Sequence, residues 1–155
     1  MMESQPLGTA HAPSRSSAEA PGRRVEELAA EEALELLGSV GLGRVVFTRH
    51  ALPAVRPVNH VLDAGDIIIR PHDGSTLAAL MEAQEGTGVV VAYEADTIDP
   101  EARVGWGVVA TGYATAVTDP IELERYAHLL LPWVEGAFSG PIRITPGLVT
   151  GFRLH

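Results

Sequence analysis

The sequence predicts a mainly β, α+β chain: an antiparallel barrel or strongly curled sheet with helices at its periphery. Three observations carry this. Six or so short segments rich in β-branched and aromatic residues are separated by turn-type clusters. Strands and helices do not alternate as they would around a parallel sheet. The 155 residues suffice for one domain with one core.

The segment from Met1 to Arg24 is rich in Ala, Ser, Pro and Gly and lacks a hydrophobic period, which predicts a disordered tail. Residues 25–155 are then the folded domain. A helix is expected from Val25 to Leu37. Val25, Leu28, Ala29, Ala33, Leu36 and Leu37 recur at steps of three and four, and Gly38 stands ready as terminator. Glu26, Glu27, Glu31 and Glu35 fall largely elsewhere and read as a solvated face.

After Gly43 the pattern shortens to strands. Arg44 to Thr48 is the first, His50 to Pro53 a turn, and Ala54 to Leu62 the second strand despite Pro57. A strand proline lacks a ladder donor, so it implies an edge, a bulge or a place where something else meets the backbone. Asp63 to Asp66 is a tight hairpin turn before the strand Ile67-Ile68-Ile69. Gly74 to Ala83 reads as a short helix and Val89 to Tyr93 as a buried-type strand, followed by a polar connection over 94–103. Val104 to Val117 is a long strand whose Gly105, Gly107 and Gly112 suggest bending or close backbone approach. Asp119-Pro120 opens a third helix running to about Leu130, through a capping residue and a proline in the first turn. Ile142 to Leu154 supplies one or two closing strands.

Composition excludes much. All eleven basic residues are arginine, and there is neither lysine nor cysteine. Lysine Schiff bases, a P-loop lysine, thiol nucleophiles, disulfides and Cys-ligated metals are therefore out. The net charge is −9, and the tail carries +1, so the remaining residues carry −10. That balance disfavours nucleic acid as a partner. No apolar run approaches the ~20 residues of a membrane span, and the tail lacks the apolar stretch of a secretory signal. A cytoplasmic setting is expected.

The segment richest in chemical groups runs from Arg56-Pro57-Val58-Asn59-His60 to Ser75-Thr76. Arg56 and Arg70 lie on consecutive strands and are expected as neighbours. With two hydroxyls, Gly74 and a helix start, they would make a phosphate cradle. The alternative is that Ser75 caps the helix and the arginines pair with surface acids. Capping serines are common, so spacing alone favours it. Asn59 and His60 must face opposite sides of the sheet. The other histidines show no paired spacing, so no metal site is expected. Glu94, Asp96 and Asp99 lack calcium-loop spacing and read as loop or cap residues. Trp106 and Trp133 could stack on a planar ligand, but burial in the core or at a subunit contact is the default. No residue stands out as a catalytic acid, base or nucleophile.

Six stretches carry a resemblance: Val40–Thr48, Leu52–His60, Asp66–Arg70, Gly74–Ala79, Gly105–Gly112 and Val149–Arg153. In order and spacing, the chain over about 25–154 resembles the pyridoxamine 5′-phosphate oxidase-like family of FMN-binding split barrels, most of all its small actinobacterial type. The resemblance implies a split β-barrel with Greek-key-like antiparallel strands and a homodimer holding FMN between subunits. It implies an FMN-dependent oxidoreductase that passes hydride through the flavin to a small-molecule substrate, with NAD(P)H a candidate donor. Carried over by position, Arg56, Arg70, Ser75 and Thr76 would meet the phosphate or ribityl chain. Val58, Asn59 and His60 would line the isoalloxazine, Pro57 and Ile69 would also belong to the cofactor site, Trp106 and Gly107 would approach from the long strand, and Trp133 would reach across the dimer. Four positions depart from the pattern: Pro71 for threonine, Thr76 for lysine, Gly107 for serine and Phe152 for arginine. Those departures motivate the alternative, a non-catalytic barrel holding flavin, deazaflavin or haem.

Overall fold

The computed structural model describes residues 24–71, 77, 79, 88–132 and 140–155. The elements in chain order are β1 (Val25–Glu27), α1 (Ala30–Gly38), β2 (Leu42–Arg49), β3 (Leu52–Asp63), β4 (Asp66–Arg70), β5 (Val89–Asp99), β6 (Val104–Ala116), α2 (Pro120–Leu129) and β7 (Ile142–Leu154). Every pairing is antiparallel. The sheet order is β1-β7-β4-β3-β2-β5-β6, and β6 also pairs with β7 along both their lengths, which closes six strands into a ring. On its other edge β7 meets β4 through Ile142–Ile144 and β1 through Phe152–Leu154. Between those two ladders the barrel is split, as the family resemblance implied.

Alternation explains the core. Val45, Phe47, Val58, Tyr93, Ala95, Val108 and Ala110 point inward and are buried. Ile67, Ile68 and Ile69 are all fully buried, because β4 is covered on both faces. Ile67 and Ile69 join the main core, whereas Ile68 packs under α2 with Tyr126, Leu130 and Val117. On α1, Ala33 and Leu37 are the buried positions and Glu31 and Glu35 stay in solvent, as the spacing predicted.

Two stretches differ from expectation. Residues 25–27 are a strand, not the start of the helix. The exposed end of β7 supplies ladder partners from Phe152 to Leu154, and Ala29 remains extended with φ −65° and ψ 150°. A local period cannot reveal a partner more than a hundred residues away. Residues 94–99 continue β5 rather than connecting, pairing with Val104–Val109. This ribbon projects beyond the core, with Asp96 to Asp99 exposed, so no apolar alternation marks it. Its turn is 100–103, where Asp99 Oδ1 accepts from the backbone N–H groups of Glu101 and Ala102. The closing segment is one strand, with a bulge opposite Thr111/Gly112.

Other expectations hold. Ala64 and Gly65 both have positive φ, as a two-residue hairpin turn requires. Gly105 has φ +144°, and a Cβ there would lie 2.0 Å from the Thr97 carbonyl oxygen, which is the close approach its place in a strand implied. Asp119 caps α2 by accepting from the N–H of Ile121, with Pro120 in the first turn. The expected tail, apart from Arg24, and most of the expected helix over 74–83 lie outside the described residues; Leu77 and Ala79 are helical, and Leu77 is buried in the core.

Candidate functional site

β3 pairs with β2 from Leu52 to Asn59, but with β4 only from Asn59 to Asp63. Over 52–58 its second edge therefore has no strand beside it among the described residues. Pro57 lies in this stretch, which is where a sheet tolerates proline.

The pleat sorts the expected site residues onto two faces. Pro57 and Asn59 leave β3 outward, and Arg70, the register partner of Asn59, leaves β4 on the same side. Arg56, Val58, His60 and Ile69 face the other way. Val58, His60 and Ile69 are buried, whereas Arg56 is exposed near the end of the hairpin and its Nη1 donates to the Val55 carbonyl at 3.0 Å. The expected convergence of Arg56 and Arg70 does not occur. Arg56 is three residues from Asn59, an odd number, so the two guanidinium groups leave opposite sides of the sheet.

Asn59 and Arg70 lie side by side under the C-terminal end of α2. Asn59 Nδ2 donates to the Leu131 carbonyl at 3.0 Å, and Arg70 Nη1 to the Leu130 carbonyl at 2.9 Å. The helix is fixed there by a polar network on the β3–β4 turn. Tyr126 donates its hydroxyl to Asp63, which also pairs with Arg125. Arg143 pairs with Glu122 and, at 2.9 Å, with Asp66. Burial and the Asp63 carboxylate push the Tyr126 hydroxyl above its ordinary pKa.

His60 points into the core, opposite to Asn59 as expected. Its Nε2 lies 2.8 Å from the Leu37 carbonyl, so that nitrogen carries the proton, and Nδ1 accepts from the Tyr93 hydroxyl at 2.5 Å. Burial lowers the His60 pKa and raises that of Tyr93. Both ring nitrogens are used within the protein. Trp106 is half-buried against the main core, as the default reading has it, on the opposite side of β6 from Gly107.

Gly107 and Phe152 are direct register partners. A Cβ on Gly107 would lie 2.8 Å from the Phe152 ring, so a larger residue at 107 has no room beside that ring. The ring fills the space of the missing side chain. Both line a shallow outer-face pocket of about 190 Å³ that also includes Glu94, Asp96 and Thr150. Arg44 bridges the two carboxylates at 2.8 and 3.5 Å. Burial and then Asp96 raise the Glu94 pKa. This grouping was not foreseen, although the alternate spacing of Glu94 and Asp96 places them on one face once they are known to lie on a strand. Ser75, Thr76 and Trp133 lie outside the described residues.

A closed antiparallel ring with a split along β7 and a helix over its outer face defines a split-barrel protein. The family model described as pyridoxamine 5′-phosphate oxidase matches residues 29–153, and the chain belongs to that family. It is 48% identical over 141 residues to the uncharacterised protein Rv0080 of Mycobacterium tuberculosis, covering 91% of this chain and 93% of that one. Among solved structures it is similar to a provisionally named pyridoxamine 5′-phosphate oxidase of Corynebacterium glutamicum, with 34% identity and TM-score 0.67 over 84% of this chain and 98% of that one. It is also similar to the FAD binding protein of Mycobacterium smegmatis, with 29% identity and TM-score 0.62 over 85% and 100%. Among the described residues no helix is long and apolar enough to cross a membrane.

Proposed function

We propose that this protein is a flavin-nucleotide-dependent oxidoreductase of the cytoplasm that binds FMN between two copies of itself. The observation that carries the reading is the pairing of Asn59 and Arg70 on one face, next to the edge of β3 that has no strand beside it among the described residues. That arrangement fits the group. Backbone at Pro57 and Val58 offers polar atoms to the rim of a flat heterocycle, and the guanidinium of Arg70 suits an anionic tail. The M. smegmatis relative named as FAD-binding supports a flavin on this fold. His60 and Ile69 would act from behind the strand, holding β3 and β4 in place. When bound, the flavin supplies hydride chemistry and the protein supplies binding and orientation. NAD(P)H is the proposed donor and a small molecule the proposed acceptor.

The dimer has support on the outer face. Val55, Val90, Val109, Tyr113, Leu148 and Phe152 share it and remain 38–62% exposed. Contiguous apolar surface of this kind is commonly covered by a partner. A second reading, a flavin-binding module without turnover, is favoured by the engagement of Arg70 and Asn59 with α2. A haem-binding role gains nothing from His60, whose two nitrogens are already bonded.

The test is titration of the purified full chain with FMN, FAD, riboflavin and deazaflavin, followed by fluorescence, with light scattering for subunit number. FMN uptake and its reduction by NAD(P)H with transfer to an added acceptor are expected. Uptake without transfer would select the second reading, and no uptake of any flavin would refute both.

A further inference from the structure

The exit of α2 has an unusual dependence. A helix end leaves carbonyls without intrahelical partners, and these are commonly satisfied by a left-handed glycine cap or by basic residues of the last turn. Here the cap is Leu130, with φ −111° and ψ 82°, and the last turn holds only His128 as a basic residue. The carbonyl of that cap residue, Leu130, instead takes its hydrogen bond from Arg70, and the carbonyl of Leu131, one residue beyond the cap, takes one from Asn59. A cavity of about 170 Å³, bounded by Arg70, Tyr126, Leu130 and Pro141, lies beside this contact.

We infer that the C-terminal end of α2 stands in for a ligand's anionic group at Arg70, and that an anion entering this site displaces it. The inference rests on the flavin reading only for the identity of the natural ligand. A helix C-terminus carries partial negative charge, and its carbonyls are acceptors of the kind a phosphate offers. Carbonyl and phosphate therefore compete for the same donors, and their negative charges repel one another. The protein has two states, one with α2 capped by Asn59 and Arg70, the other with those donors turned to the ligand. Whatever tethers α2, notably the packing of Leu130 against Ile68 and Tyr126, then sets the ligand's affinity, since each state is favoured at the other's expense. The device holds the site closed until an anionic ligand competes for it.

Hydrogen exchange of the wild-type full chain tests this, read at the backbone amides of 126–131 with FMN, riboflavin or inorganic phosphate at saturating concentration. FMN and phosphate should speed exchange about tenfold, the equivalent of one hydrogen bond to a charged group, while riboflavin leaves it unchanged. Bound FMN or phosphate that slows exchange, or leaves it as it was, overturns the inference. Acceleration by phosphate without any FMN uptake sustains it and defeats the flavin reading alone. If the wild type takes up neither anion, the variant Leu130→Ala decides. FMN or phosphate binding by that variant sustains the inference, and no binding by either protein overturns it.

Discussion

Replacing His60 by glutamine should flatten the acid side of the stability profile. His60 is 2% exposed, donates through Nε2 to the Leu37 carbonyl, and accepts at Nδ1 from Tyr93. The Tyr93 ring stands edge-on to it, with centroids 5.0 Å apart. Burial holds its pKa below the ordinary 6.5, and the bond to Leu37 offsets only part of that shift. As pH falls through 6.5 the unfolded chain gains a proton at this position that the folded chain refuses. Stability present above 6.5 is therefore lost below it, until the lowered folded pKa is reached. One proton corresponds to at most about 1.4 kcal/mol per pH unit. Urea unfolding of wild type and His60→Gln at about pH 7.5 and about pH 5.5 measures the difference, and the exposed histidines cancel between them. The variant should lose less over that interval. Equal losses in both proteins would show that His60 is not held neutral by burial. At neutral pH, Tyr93→Phe should cost about 1–3 kcal/mol, because it leaves Nδ1 buried without a donor.

Three further outcomes follow from the geometry. Gly105→Ala would set a methyl group 2.0 Å from the Thr97 oxygen and should cost more than about 3 kcal/mol in thermal unfolding, whereas Gly41→Ala, with open space around it, should stay within about 1 kcal/mol. Asp119→Ala removes the cap on α2 and should lower stability by about 1 kcal/mol in urea titration. Arg70→Gln should weaken FMN roughly ten- to a hundred-fold while leaving riboflavin affinity nearly unchanged, as read by flavin fluorescence. Equal weakening of both ligands would place Arg70 away from the phosphate.

Local pattern alone determined most of the architecture. Alternating apolar residues, the Asp63–Asp66 turn and the Asp119-Pro120 helix start each depend on neighbours within a few residues, so they were legible without a fold. The family resemblance was legible for the same reason, since short motifs in order survive as strings. What only the tertiary structure decided depends on pairings distant in sequence. Val25–Glu27 became a strand because β7 ends beside it, and residues 94–99 became a ribbon because β6 returns along them. The outward placement of Arg70 with Asn59, and of Arg56 away from both, was implicit in the pleat but needed the β3–β4 register to be seen. The sharing of those two donors with the end of α2 had no local signal. A helix exit and a strand sixty residues earlier meet only when Ile68, Tyr126 and Leu130 bury one another, and burial of that kind is a property of the packed whole.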